Sequence, residues 1–393
     1  MSRPGAPRQN PCVKKMSGER VGGRAAGTSL AERLRARIRR AGPMAFRDWM
    51  QAALYDPEEG YYQRRGHARW GRAGDYRTAP ETTPLFAATF ARHFASLHEE
   101  LHSPPELNIV EAGAGAGHFA RCVLGTLRRD HPKVFSCVRY AVDELSADSR
   151  ARAAELLAPF AGRVEFQRIE ERRAPFEAGI IFSNELLDAF PVHRVVSRGG
   201  ELRELCVGLD ERGAFSWVER EPSTPQLAAH LRAGGVTLSE GQIAEVNLEA
   251  GLWIARAASA LKRGFVITVD YGAEAAGLYG GPGRAGGTLR GYAAHKLADD
   301  VLDRPGLQDL TTTVDWTQVV KAGEDAGLQT ISFEPLGKFL MGAGFLEQLE
   351  RESVLAAGEP DRAQLSLGAR ELILPGGLGE SFQVLVQKKA APP

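Results

Sequence analysis

The sequence predicts an α/β fold, a mostly parallel sheet with helices on both faces, and three observations carry that expectation. Short β-rich runs alternate with helical or loop segments from about residue 106 onward, as they do where each strand is followed by a crossover helix. A glycine-rich loop stands directly behind the first of those runs. The chain has 393 residues, 43% of them hydrophobic, which suffices for one large core with accessory elements and exceeds what a small binding module needs.

Residues 1–27 are rich in Gly, Pro, Arg and Lys without apolar periodicity. They read as a basic disordered leader, with an organelle-targeting peptide as the alternative and Met16 as a second possible start. An N-terminal helical and lid segment then spans 28–105. Ser29 and Glu32 form a capping box ahead of a helix through about Arg40, which Gly42-Pro43 stops. A second helix is expected over about Phe46 to Leu54, followed by a long stretch from Tyr55 to Pro84 whose Gly and Arg content is ligand-like. A third helix runs from about Leu85 to Leu101.

From residue 106 to 393 the pattern is that of a seven-stranded Rossmann-like core. ELNIVEAG, VRYAVDE, RVEFQRI, GIIFSN and GFVITVDYG supply five strands, and LQTISFEPL and SFQVLVQKK complete the set. Two insertions interrupt it. The first, about 194–247, carries hairpin-like segments at ELRELCVGL and GAFSWVE. The second, about 273–328, is so Gly-rich after Gly272 that mobile loops near the site are expected there.

The string I-V-E-A-G-A-G-A-G-H-F-A places Gly113, Gly115 and Gly117 between a strand and a helix, where the backbone turns tightly and approaches a ligand. A dinucleotide fingerprint needs Gly where this chain has His118. Glu111 at the strand end would repel a diphosphate but suits the ammonium of S-adenosyl-L-methionine, a donor with no pyrophosphate. The loop therefore reads as the cofactor site of a class I methyltransferase. Glu144 ends the next strand, where a carboxylate can accept both ribose hydroxyls, with Asp143 competing for that role. Asn184, Glu185 and Asp188 follow the fourth strand, beyond its carboxyl end, and are expected to face the transferable methyl. If that segment turns into a helix, Glu185 and Asp188 lie three apart on one face. These two acids are the candidate catalytic residues, able to orient an acceptor nitrogen and accept its proton, with Glu81 in reserve.

At this point the chain resembles a known family, the MidA-like methyltransferases, which include a mitochondrial complex I assembly factor that methylates an arginine. The resemblance rests on F-x-x-W-M-x-x-A-L-Y-D-P-E-E-G-Y-Y, G-D-Y-R-T-A-P-E, E-A-G-A-G-A-G, V-D-E-L-S, N-E-L-L-D-A-F-P, V-D-Y-G, G-T-L-R-G-Y-A-A-H and D-L-T-T-T-V-D-W, and covers about residues 28 to 388. It implies that Asp75, Thr78, Pro80 and Glu81 form a lid over the cofactor, Thr78 and Glu81 touching it, and that Asp270, Arg290 and His295 belong to the distal substrate pocket. It also implies a protein acceptor, an arginine such as one in a complex I subunit, with a small molecule as the alternative. In D-L-T-T-T-V-D-W the family usually has His where this chain has Thr313, so contacts carried by that residue do not transfer.

Other features narrow the reading. Forty-nine basic and 49 acidic residues cancel, so no overall field draws the chain to nucleic acid, and its apolar runs fall short of the roughly 20 residues that span a bilayer. Cys12, Cys122, Cys137 and Cys206 are scattered, which fits free thiols in the cytoplasm, with the mitochondrial matrix as the alternative. H-E-E-L-H at His98, Glu99 and His102 matches a zinc-protease pattern, but a solvated helix end accounts for it better and no metal is expected. Tyr61, Tyr62 and Trp70 either cage the sulfonium or a cationic substrate or serve in ordinary packing. A non-catalytic assembly protein on the same fold is the rival class, and the intact glycine loop argues against it.

Overall fold

Ser29 caps helix α1 (Leu30–Ala41): its hydroxyl accepts from the Glu32 amide, and the Glu32 carboxylate accepts from the Ser29 amide. Gly42, at φ +81°, ends the helix. The computed structural model describes residues 29–64, 83–280, 282–293 and 296–391. The leader, Trp70, the lid residues Asp75, Thr78, Pro80 and Glu81, and His295 lie outside the described residues. Strand β1 (Met44–Ala45) runs straight into α2 (Phe46–Tyr55), and Thr83 caps α3 (Pro84–Glu100).

Strands and helices then alternate: β2 (Leu107–Ala112), α4 (His118–Asp130), β3 (Val138–Asp143), α5 (Ala147–Leu156), β4 (Val164–Phe166) and β5 (Gly179–Asn184). The first insertion supplies β6 (His193–Arg198), β7 (Glu201–Leu209), β8 (Phe215–Arg220) and β9 (Ile243–Val246). Helix α6 (Leu248–Ser259) and β10 (Gly264–Ala273) return to the core. Next come β11 (Arg290–Ala293), β12 (Lys296–Leu297), β13 (Asp309–Thr311), β14 (Val314–Asp315), α7 (Trp316–Asp325) and β15 (Gln329–Pro335). Helices α8 (Leu336–Gly342), α9 (Phe345–Leu355) and α10 (Glu359–Ile373) precede the last strand, β16 (Phe382–Lys389).

The main sheet has the order β15-β16-β10-β5-β2-β3-β4, with β14 added against the end of β10. β2, β3, β4, β5 and β10 are parallel, and β16 enters antiparallel between β10 and β15. The seven expected strands are all present. Because β2 has β3 on one side and β5 on the other, the winding reverses there and opens a crevice at their carboxyl ends. Alternate strand residues serve opposite faces. Ile109, Ile180, Phe182 and Ile267 meet Phe90, Phe94 and Phe119 of α3 and α4, with the Phe119 and Phe182 rings stacked at 4.4 Å. Val110, Ile181 and Val266 meet Trp253, Ile254 and Trp316 of α6 and α7.

The insertions are more ordered than the sequence implies. The first forms an antiparallel sheet in which β1, from the N-terminal segment, pairs with β7 (Met44 with Val207, Ala45 with Cys206). The second, expected as mobile loops, contains the sheet β12-β11-β13 and the helix α7, capped by Asp315. Gly287 answers a need for close approach: at φ +80°, a Cβ on it would lie 2.3 Å from Oε1 of Glu245. Among the described residues no helix is long and apolar enough to cross a membrane. His98 is also not the solvated helix end expected of it. It is buried, with Nε2 3.0 Å from the Pro104 carbonyl, and holds the chain reversal after α3.

Candidate active site

The loop after β2 is shaped by its glycines. Gly113, Gly115 and Gly117 have φ of +71°, +55° and +81°, the left-handed region that side chains resist. A Cβ on Gly117 would sit 3.1 Å from that of Ala153, and one on Gly113 3.0 Å from the Leu186 methyl. The Gly113 amide donates to the Asp143 carbonyl at 2.8 Å, which lashes the loop to the end of β3. Gly115 N donates to Glu144 Oε2 at 2.8 Å and Ser146 N to Oε1 at 2.6 Å, so two backbone donors fix this carboxylate. Together these groups line one side of a cavity of about 470 Å³ at the switch point of the sheet.

Glu111 lies on the cavity floor and accepts a 2.7 Å bond from the Tyr140 hydroxyl. Burial, aided by the Glu144 charge and opposed by the Tyr140 bond, pushes its carboxyl up to about 8. Asp143 also lines the cavity, but it accepts from Ile169 N at 3.0 Å and Arg168 Nε at 3.4 Å, holding the loop after β4. Across the cavity, Asn184 Nδ2 donates to Glu185 Oε1 at 2.9 Å, while Asn184 Oδ1 is buried with no partner among the described residues. A carboxylate fixed by backbone, a backbone opened by three glycines and an orphaned amide oxygen are a fit for a ligand with hydroxyls and an ammonium.

A family model for S-adenosyl-L-methionine-dependent methyltransferases matches residues 89–334. The chain belongs to that family. A protein from Burkholderia thailandensis, solved bound to S-adenosyl-homocysteine, is 30% identical and superposes with a TM-score of 0.80, covering 93% of this chain and 92% of that one. The protein arginine methyltransferase NDUFAF7 homolog of Drosophila melanogaster, named as mitochondrial, is 26% identical over 91% of this chain and 84% of its own length. The Homo sapiens protein arginine methyltransferase NDUFAF7, also named as mitochondrial, is 25% identical over 90% of this chain and 82% of its own.

This methyltransferase uses S-adenosyl-L-methionine, whose sulfonium supplies an electrophilic methyl group. Of the expected site residues, Glu111, Gly113, Gly115, Glu144, Asn184 and Glu185 line the cavity, and Gly117 stands just behind as the first turn into α4. The segment after β5 is a sharp turn, with Glu185 at φ +51°, and not the helix that would align Glu185 with Asp188. Asp270 forces the turn: its Oδ2 accepts from Leu187 N at 3.0 Å and Asp188 N at 3.3 Å. Asp188 consequently points away from the cavity lining, is buried, and accepts a 2.7 Å bond from the Tyr271 hydroxyl. Burial pushes its carboxyl up to about 6, and burial together with the Asp188 charge raises Asp270 well above the carboxylate range. Asp270 is thus fully enclosed and outside the cavity lining, while Arg290 lies exposed on β11, paired in register with Thr311, and does not line the cavity either.

Several lining residues escape sequence reasoning. Arg47, Gln51 and Tyr55 form a stripe on α2, and Glu249, Trp253 and Arg256 a stripe on α6. Their spacing of three or four residues is visible in the sequence, but nothing there says the two faces meet. Of the aromatic candidates, Tyr61 is core, whereas Tyr62 lines the cavity beside Tyr55, their rings 5.4 Å apart.

Proposed function

We propose that the methyl acceptor is a protein arginine. The observation that carries this is the grouping of Glu185 with the Tyr55 and Tyr62 rings in one cavity, an acid and two π-faces suited to a planar cation. The names of the relatives support it, and their mitochondrial designation favours the matrix over the cytoplasm. Extension to a complex I subunit rests on the family resemblance alone.

In this reading Glu144 accepts the ribose hydroxyls, Glu111 and Asn184 face the donor's amino-acid end, and Gly113 and Gly115 let the backbone approach. Glu185 orients one guanidinium nitrogen toward the methyl and takes its proton late, because a guanidinium with a pKa above about 12 gives up that proton only once the new bond has formed. Positive charge falls as the sulfonium is neutralised, so alignment in a cleft shielded from water is the main requirement. Asp188, Asp270, Arg290 and His295 are left out of the acceptor's contacts or untouched by this reading. Incubating the protein with labelled donor and a lysate, then identifying the labelled species, is the test. Methylarginine in one protein band supports the reading, and label confined to small metabolites overturns it.

A further inference from the structure

The cavity is bridged at its rim by an ion pair between its two walls. Arg47 on α2 donates from Nη2 to Glu249 Oε1 on α6 at 2.6 Å, and its Nη1 reaches Asp48 at 3.1 Å. Both partners line the cavity, and both side chains keep about a third of their surface in water, at 34% and 29% exposure. Gln51, next on the same stripe, is exposed, whereas Tyr55, one turn further, reaches inward and donates to the Ala189 carbonyl at 3.0 Å. The α2 stripe therefore leads from solvent at Arg47 to the interior at Tyr55, past Glu249 on the facing helix. Whatever enters along this stripe meets a carboxylate that already holds a guanidinium.

We propose that Glu249 selects a cationic acceptor at the cavity rim and that Arg47 is its built-in stand-in, holding the place until the acceptor arrives. The proposal rests on the arginine reading above. Exchange of one guanidinium for another leaves Glu249 paired throughout, and Arg47 falls back on Asp48. A neutral side chain offers no such exchange, because dislodging Arg47 would leave a partly buried carboxylate without its cation. The ion pair thus discriminates by charge at the entrance, before the acceptor reaches Glu185. The bidentate geometry of a guanidinium also favours arginine over lysine at this carboxylate.

The test uses the full chain loaded with S-adenosyl-homocysteine and titrated calorimetrically with N-acetyl-arginine methylamide. Arg47→Gln is expected to tighten binding of this probe about tenfold, Glu249→Gln to weaken it about tenfold, and the double variant to match Glu249→Gln. S-adenosyl-homocysteine affinity should stay within about twofold in all three. Loss of that affinity in Arg47→Gln would assign Arg47 to the cofactor and overturn the proposal, as would equal probe binding in wild type and Arg47→Gln with the fold intact by circular dichroism. A parallel assay with labelled donor and an arginine-containing peptide separates the two readings. Methylarginine formed at the same rate by wild type, Arg47→Gln and Glu249→Gln defeats the gate and keeps the arginine acceptor. The expected calorimetric pattern with no methylarginine from any of them keeps a cation-selective rim and defeats the arginine acceptor.

Discussion

Single side chains in the cavity make separable predictions. Glu144 is held by two backbone donors, so it presents its carboxylate without searching for a conformation. Glu144→Ala should weaken S-adenosyl-L-methionine binding by about 1–3 kcal/mol in calorimetry, the range for hydrogen bonds to a charged acceptor. Glu111, with its carboxyl up at about 8, is largely protonated at neutral pH in the ligand-free protein. A nearby ammonium favours its ionised form, so donor affinity should rise from pH 6 to about 8 and then level off. Glu111→Gln should flatten that profile. Glu185 and Asp188 part company: Glu185→Gln should cut turnover about a hundredfold with donor affinity within a few-fold, and Asp188→Asn less than about tenfold. Asp188 has a folded-state pKa of about 6, above its unfolded value of 3.8, so its contribution to stability is full below pH 3.8 and lost as pH rises through 6. Asp188→Asn removes that loss. Its melting temperature should exceed that of wild type at pH 8 and converge with it near pH 4.

Among elements, the seven strands and the glycine loop were legible because each is written in local chemistry. β-branched runs fit the sheet, and Gly113, Gly115 and Gly117 stand where the backbone takes positive φ. The turn after β5 was not legible. N-E-L-L-D-A-F reads as a good helix start, and what overrides it is the Asp270 carboxylate, which arrives from β10 about 80 residues later in the chain. β1 was invisible for a related reason: two residues carry no periodicity, and its partner is in the first insertion. The order in the second insertion was hidden by its glycines, some of which, such as Gly280, Gly287 and Gly291, serve close contacts. Gly264 gives the sharpest element-level test. At φ +144° it begins β10 with room for no side chain, since a Cβ would fall 1.9 Å from the Gly179 carbonyl oxygen. Gly264→Ala should destabilise the fold by more than about 3 kcal/mol in denaturant titration, beyond the usual range for one substitution.

At the scale of the molecule, the cavity is lined by the strand ends and loops of the main sheet and, among other elements, by α6 and the N-terminal helix α2. α2 is positioned by the first insertion, because the Phe46 ring packs against Trp217 of β8 at 5.0 Å and the Trp49 ring lies 6.1 Å from Phe215 of the same strand. Phe46→Ala should cost about 3–5 kcal/mol of stability. It should also reduce methyl transfer more than donor binding, since the donor leans chiefly on the main sheet while the rim depends on α2. Equal losses in both would place the whole cofactor site under the control of α2.

The pairing of Met44 with Val207 also sets a timetable for synthesis. The partner strand lies 163 positions downstream, so at about 5–20 residues per second the ribosome delivers it roughly 8 to 33 seconds after Met44. Through that interval α2 carries Phe46, Trp49 and Met50, all fully enclosed in the finished protein, with α1 and Tyr61 to cover them but not yet Val207 or Trp217. The N-terminal segment is therefore made well before the sheet on which it docks. A nascent chain arrested before residue 200 should recruit chaperones through that helix, and one extended past residue 246 should release them.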